Sequence, residues 1–131
     1  MIGQKLKFRL LPGVFAISRL PPDSAAPDWA GRSTFTCITR TADELSIVCP
    51  LEHVPAEHNQ GARWCCFQLA GPFAFSQVGI LASFIGPLAA SDIPIFAIST
   101  YDTDYVLIIE ESIGAALECL KAAGHQLIRQ P

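Results

Sequence analysis

Charged side chains are scarce in this sequence. Only 16% of its 131 residues are Asp, Glu, Lys or Arg, and the nine Lys and Arg residues form no basic run. The formal net charge is −3. Proteins that bind nucleic acid carry basic patches that neutralise phosphates, so this composition argues against a nucleic-acid partner.

A long unbroken apolar segment is also lacking, although half of the residues are hydrophobic and the mean hydropathy is +0.35. No charged side chain occurs from Trp64 to Ser91. However, Gly71-Pro72 and Gly86-Pro87 divide this stretch into pieces shorter than the ~20 residues of a spanning helix. The basic N-terminus is interrupted by Arg9, unlike a signal peptide. The sequence therefore predicts a cytoplasmic protein with no membrane partner.

The five cysteines and three histidines follow no metal or disulfide pattern. Five is an odd number, and Cys37 and Cys49 lie in apolar runs where a thiol acts as a small hydrophobe. His53 and His58 do not have zinc-site spacing to Cys65-Cys66. A Cys–His nucleophile pair would lack a recognisable third group to orient it. We therefore expect reduced, unreactive thiols, no metal, no cofactor and no catalytic residue.

Two periodicities of apolar residues predict a mixed α+β fold. Alternating or continuous apolar runs predict strands, and apolar residues at helical spacing predict helices. The predicted strands cover residues 5–11, 14–20, 33–40, 45–49, 64–70, 93–99, 105–109 and 125–129. One predicted helix runs from Val78 to about Ala90 with Ser76 as its N-cap, and the other runs from Ile113 to Gly124.

The order of elements after residue 60 is βαββαβ, the ferredoxin-like arrangement with two helices on one face of an antiparallel sheet. Five residues of the hairpin at 33–49 match the hairpin at 94–110 at a constant offset of 61, which favours duplication over chance. The polar stretch from Pro50 to Ala62 predicts a linker. The expected fold is two ferredoxin-like modules, a degenerate one at residues 1–60 and a complete one at residues 61–131.

Polar residues in the second half gather at two places. One is the loop Phe75-Ser76-Gln77 before a helix, where free amides and the helix dipole suit a carboxylate. The other is the turn from Ser99 to Asp104, where an acid follows an apolar strand and either caps the turn or meets a cation. An α-amino acid carries both charges. The sequence therefore predicts a small-molecule site between these two places.

Three stretches resemble a known family, the tandem ACT-domain proteins related to the CASTOR cytosolic arginine sensors. They read LKFRLLPGVFAISRLPP, TRTADELSIVCP and GPFAFSQVGILASFIGPLAASDIPIFAISTYDTDY. The resemblance implies ACT-type modules that bind an amino acid where two modules meet. The ligand-binding residues it implies are Gly71, Phe75, Ser76, Gln77, Val78, Thr100, Tyr101 and Asp104. Ser76 or Gln77 stands where the arginine sensors have an acidic residue.

The expected function is a non-catalytic regulatory protein that binds a free amino acid and acts on a regulated protein partner. An association module without a working ligand site and a small enzyme are the alternatives. A homodimer is expected as well. The nearly continuous apolar strands at 93–99 and 105–109 need cover on both faces, and a closed symmetric pair is the commonest way to supply it.

Overall fold

The computed structural model describes residues 4–129, which form strands, two α-helices and short 3-10 turns. The strands are β1 (Lys7–Leu10), β2 (Phe15–Leu20), β3 (Cys37–Arg40), β4 (Leu45–Pro50), β5 (Trp64–Leu69), β6 (Phe96–Ser99), β7 (Asp104–Ile109) and β8 (Gln126–Leu127). The helices are α1 (Ile80–Ala90) and α2 (Ile113–Ala122). The predicted mixed α+β class is confirmed. In this described part, no helix has the length and apolar character to cross a membrane.

The chain divides into two compact units. The strand unit runs from Gly13 to Trp64, and the helical unit joins the described residues up to Pro12 to those from Cys65 onward. The sequence pattern places the strand at 5–11 in the first module. In the structure β1 belongs to the helical unit, because alternation predicts a half-buried strand but does not identify its partners.

The sheet of the helical unit has the strand order β8-β1-β5-β7-β6. Its elements from β5 to β8 follow the predicted βαββαβ order, and β1 is inserted between β8 and β5. Phe8 of β1 lies opposite Leu69 of antiparallel β5 and opposite Leu127 of parallel β8. This sheet and its helices are compatible with a ferredoxin-like fold.

Both helices pack on the sheet face that carries Phe8 and Phe67. Phe84 of α1 and Leu120 of α2 are fully buried there. The Phe8 and Phe67 rings meet edge to face with centroids 5.1 Å apart, and Phe8 meets Phe84 in the same way at 5.2 Å. Burying each such side chain contributes about 1.5–3 kcal/mol. This core fixes the elements between which the candidate site lies.

A buried histidine compensates for the proline inside α1. Pro87 has no amide hydrogen to donate to the carbonyl of Ser83. Nε2 of His125 lies 2.8 Å from that carbonyl oxygen, and its Nδ1 accepts the Leu6 amide at 3.0 Å. These partners require the neutral tautomer with hydrogen on Nε2. His125, 5% exposed, thereby joins α1 to the segment that enters β1.

The strand unit consists of the antiparallel strands β3-β4-β2 and short 3-10 turns. Its core is a cluster of small and branched residues: Ala16, Leu20, Ala30, Leu45, Ile47, Cys49 and Val54. The turns are Asp28–Ala30, Leu51–His53 and Ala56–His58. No α-helix occurs in this unit, all of which lies within the described residues.

The turns of the two hairpins lie at a spacing different from the offset of the sequence matches. Arg40 pairs with Leu45 across the β3–β4 turn, and Ser99 pairs with Asp104 across the β6–β7 turn. This places the two turns 59 residues apart, so the predicted offset of 61 is wrong. The identities at 61 do not follow the strand register, which only backbone pairing determines.

Candidate functional site

A pocket of about 250 Å³ opens between the loop from β5 to α1 and the turn from β6 to β7. All of its lining residues belong to the helical unit. They are Phe73, Ala74, Phe75, Gln77, Ile80, Ser99, Thr100, Tyr101, Asp102, Thr103 and Asp104. The two polar places predicted from sequence therefore border the same pocket.

Threonines hold the β6–β7 turn in position. The amide and the hydroxyl of Thr100 both donate to the carbonyl of Thr103 at 2.9 Å. The buried Thr103 hydroxyl donates to the carbonyl of Leu69 at 2.8 Å, which fixes the turn to the end of β5. The Thr100 hydroxyl therefore stabilises the turn by a hydrogen bond, and this structural role does not require a ligand.

The loop after β5 approaches this turn very closely. The Phe73 amide donates to the carbonyl of Asp102 at 2.9 Å. A Cβ atom added at Gly71 would lie 2.9 Å from the same carbonyl oxygen and 3.1 Å from the Thr103 Cβ. Only glycine fits this approach without a shift of the backbone. Gly71 thus shapes the pocket, although it is not among the lining residues.

The first turn of α1 has no side-chain cap. The helix begins at Ile80, and the preceding Gly79 has a φ of +77° in the left-handed region. Ser76 lies in an exposed turn, so its predicted role as N-cap is wrong. Gln77 binds its own loop instead, since its Oε1 accepts the Ala74 amide at 2.7 Å. With no acidic residue in the first turn, the amides at the start of α1 remain suited to an anion.

Acidic groups line the pocket on the side of the turn. Asp104 is partly buried, and its Oδ1 accepts the Ser99 hydroxyl. Asp102 is an exposed neighbour in the same turn. Among the described residues, no lysine, arginine or histidine lines the pocket. Its electrostatic potential therefore favours a cationic group near the turn.

Two aromatic side chains meet at the pocket. The Phe75 and Tyr101 rings pack edge to face with centroids 4.9 Å apart. They are nevertheless 77% and 79% exposed. This contact joins the loop to the turn at the surface, where a bound molecule could add to it.

Five of the eight predicted ligand-binding residues line the pocket: Phe75, Gln77, Thr100, Tyr101 and Asp104. The other three, Gly71, Ser76 and Val78, do not line the pocket. The carbonyl of Val78 instead accepts a hydrogen bond from Gln4 Nε2 at 3.2 Å. Among the six lining residues that sequence reasoning missed are Phe73, Ile80 and Asp102. Asp102 was recognisable from its place in the predicted turn, whereas Phe73 and Ile80 resemble ordinary core residues.

The thiols lie apart from this pocket, and none of the five, all within the described residues, is in a disulfide. Burial raises the pKa of the Cys66 thiol to about 12, with a smaller contribution from Cys65, and burial also raises the pKa of Cys49. Neither thiol forms the reactive thiolate near neutral pH. Within residues 4–129, no three His, Cys, Asp or Glu side chains lie close enough to share a metal ion.

A family model for the ACT domain matches residues 61–122, which include the whole pocket. Residues 61–122 are therefore an ACT domain. A second model, described as an N-terminal domain, matches residues 13–57, which lie within the strand unit.

Curated relatives of this ACT-domain protein include cytosolic arginine sensors for mTORC1. Subunit 1 from Bos taurus is 33% identical over 118 residues, which are 82% of this chain and 36% of that protein. Subunit 1 from Homo sapiens is 39% identical over 64 residues, which are 48% of this chain and 20% of that protein. The chain thus spans about a third or less of the relatives' length.

Solved structures resemble nearly the whole chain. Protein Atu0741 from Agobacterium tumefaciens is 38% identical with a TM-score of 0.88, and the match covers 98% of this chain and 96% of that one. Protein VC0802 from Vibrio cholerae has a TM-score of 0.75 at 22% identity, and the match covers 91% and 90% of the two chains. The second likeness concerns the fold alone.

Proposed function

We propose that this ACT-domain protein is a non-catalytic regulator that binds a free α-amino acid in the pocket. One observation carries the proposal: Ile80, the first residue of the uncapped helix α1, and Asp104 line the same pocket. An α-amino acid presents a carboxylate and an ammonium on one carbon atom. A site for it needs an anion-binding corner and a cation-binding corner close together.

In this proposal the ligand carboxylate accepts hydrogen bonds from the first-turn amides of α1, near Ile80. The ammonium binds Asp104, whose Oδ1 is already oriented by the Ser99 hydroxyl. Phe75 and Tyr101 contact the ligand side chain. Thr100 and Gly71 act indirectly, because they hold the turn and the loop at the required separation.

The charges of the pocket favour some amino acids over others. Asp102 and Asp104 line it, and no basic side chain among the described residues balances them. An acidic ligand side chain would be repelled, whereas a neutral or cationic one would be accepted. The relatives' name identifies arginine as what they sense. For this chain we propose the wider class of neutral and cationic amino acids, because Ser76 or Gln77 stands where the sensors have an acid.

The two units correspond to tandem modules in this proposal, and the strand unit is the degenerate one. Its β3–β4 turn repeats the bonds of the β6–β7 turn: the Thr41 amide donates to the Glu44 carbonyl at 2.9 Å, as the Thr100 amide does to Thr103. Leu45, fully buried, occupies the position that corresponds to Asp104. The strand unit thus lacks the acid, and we expect one amino acid per chain.

We also propose that the chain forms a homodimer and that ligand binding alters its contacts with a regulated protein. The cytosolic relatives are named as sensors for a protein complex, which supports a partner of this kind and a cytoplasmic location.

A thermal-shift panel of free amino acids tests the ligand. A ligand at a hundred times its dissociation constant stabilises the native state by about 2.7 kcal/mol, which raises the melting temperature by several degrees. Asp104→Asn should abolish the rise while the unliganded protein stays folded. Asp43→Asn is the matched control, since it removes an exposed acid from the β3–β4 turn. The proposal fails if no amino acid shifts the melting curve at millimolar concentration, and the role of Asp104 fails if Asp104→Asn retains the full shift.

A further inference from the structure

A second cavity lies at the opposite edge of the helical unit's sheet from β6. It is an open groove of about 540 Å³ between α2 and β8. Its lining consists of Phe8, Gly114, Leu117, Glu118, Lys121, Gln126 and Leu127. None of these residues lines the amino-acid pocket. The groove therefore has no part in the proposed ligand site.

An exposed leucine borders the groove on its strand side. Leu127 lies opposite Phe8 in the β1–β8 register, on the sheet face that the helices cover, yet it is 48% exposed. Leu117 of α2, only partly buried, faces the same space. The apolar core thus continues to the surface at this edge, where α2 does not cover it.

The strand at this edge has unused hydrogen-bonding capacity. Within the described residues, β8 pairs with β1 alone. The amides of Gln126 and Ile128 donate towards β1, to the carbonyls of Leu6 and Phe8 at 2.8 Å. Because successive residues of a strand alternate, the amide of Leu127 points away from β1. Two copies related by a two-fold axis can pair there, and a strand this short does not invite open-ended addition of further chains.

The charges beside the groove are complementary to a second copy. Glu118 and Lys121 both line it, and neither forms an ion pair within residues 4–129. In a two-fold interface, each contact between unlike residues occurs twice. Glu118 of each copy can therefore meet Lys121 of the other on both sides of a central apolar contact.

We propose that the α2–β8 groove is the homodimer interface of this protein. Each groove is occupied by the sheet edge around Leu127 of a second copy. The Leu117 and Leu127 side chains of both copies lie at the centre of the interface, and the Glu118–Lys121 pairs lie at its rim. The inference rests on the proposed homodimer and places its interface, but it is independent of amino-acid binding.

Light scattering coupled to gel filtration at micromolar concentration tests this interface. The wild-type protein should have twice the chain mass of 14.1 kDa, and Leu127→Glu should have the single mass. Ile38→Glu is the matched control, because Ile38 is a 40% exposed apolar residue on the strand β3 of the other unit. That variant should remain a dimer. Circular dichroism confirms that both variants are folded.

A charge exchange supplies the second test. Glu118→Lys should raise the dimer dissociation constant about tenfold or more, because two lysines then face each other at both rims. Adding Lys121→Glu in the same chain should restore the wild-type value. Failure of the double variant to restore dimerisation would overturn the proposed charge pairing.

Other outcomes separate this inference from the proposed function. A wild-type monomer, a Leu127→Glu variant that stays dimeric, or equal dissociation by Ile38→Glu would each overturn the interface. The amino-acid thermal shift of Leu127→Glu is measured alongside. If the thermal shift persists in a monomeric variant, ligand binding does not depend on dimerisation. If neither the wild-type protein nor any variant shows a shift, the proposal of amino-acid binding is wrong. The mass measurements test the interface in either case.

Discussion

Pro87 lies inside α1 and leaves the carbonyl of Ser83 without its usual helical donor. The imidazole of His125 takes that role and at the same time accepts the Leu6 amide. Each residue is unremarkable as a sequence feature, because a proline in a helix predicts a kink and a lone histidine predicts little. Their relation depends on the tertiary contact between His125 and the carbonyl of Ser83, which lie 42 positions apart in the sequence.

This contact predicts an energetic coupling between His125 and Pro87. His125→Ala should lower the free energy of unfolding by about 3 kcal/mol, since it removes the acceptor of the Leu6 amide and the Nε2 donor to the Ser83 carbonyl. In a Pro87→Ala background the new amide at residue 87 can donate to Ser83. The cost of His125→Ala should then fall by about 1 kcal/mol. Urea unfolding of the four variants measures the coupling, and strictly additive effects would contradict it.

The residues of the pocket were predictable to the extent that they are polar and adjacent in sequence. Asp104 was found because the turn from Ser99 to Asp104 interrupts an apolar region, whereas Tyr101 was implied by the family resemblance. Ser76 was misassigned because its hydroxyl is a good cap in principle. Because Gly79 has a left-handed conformation, the helix begins at Ile80, later than predicted. The residue types at 76–79 do not distinguish the predicted start of the helix from the observed one.

At the scale of elements, most strands and both helices follow from apolar periodicity, and their pairing does not. The β3–β4 and β6–β7 hairpins were both predicted, but at an offset that the strand register contradicts. The turns of the two hairpins agree better in their hydrogen bonds. Thr41 and Thr100 begin four-residue turns and make equivalent bonds across them. The hydrogen bonds of the two turns therefore agree at a spacing of 59 residues, whereas the sequence matches fall at 61.

The contact between the β5–α1 loop and the β6–β7 turn depends on Gly71. Gly71→Ala should lower the free energy of unfolding by about 2 kcal/mol, because its Cβ would lie 2.9 Å from the Asp102 carbonyl oxygen. Amino-acid binding should weaken as well, since the loop must move away from the turn. Thermal melting with and without ligand measures both effects.

The matched control for this change is Gly31→Ala. Gly31 has a φ of −92°, and a Cβ atom added there would have no atom within 4 Å beyond its own residue and its two chain neighbours. That substitution should change the free energy of unfolding by less than about 1 kcal/mol. Equal effects of the two substitutions would show that the close approach at Gly71 does not matter.

At the scale of the whole molecule, the least predictable feature is the place of β1. Its alternating pattern predicts a strand, but the pairing joins Phe8 to Leu69 and to Leu127, which are 61 and 119 positions away. Pairing over such distances is not encoded in local residue types. The ACT model begins at residue 61, so family similarity alone also leaves β1 outside the domain.

The position of β1 predicts that residues 61–131 do not fold by themselves. Without β1, β8 loses its partner, β5 loses one of its neighbours, and the core loses Phe8, which is 1% exposed. Removing a buried phenylalanine alone costs about 3–5 kcal/mol, a large part of the 5–15 kcal/mol by which domains are stable. Circular dichroism should show no cooperative thermal transition for this fragment.

A rearranged chain provides the control for that fragment. Antiparallel pairing continues to Leu11, whose amide donates to the carbonyl of Cys66 at 2.9 Å, so Pro12 and Cys65 lie at the same end of a β1–β5 hairpin. Joining residues 1–12 to 65–131 through Asn-Gly supplies a two-residue turn that suits such a hairpin. This chain should melt cooperatively. If instead residues 61–131 melt as cooperatively as the full protein, or the joined chain remains unfolded, β1 is not the element that completes the ACT domain.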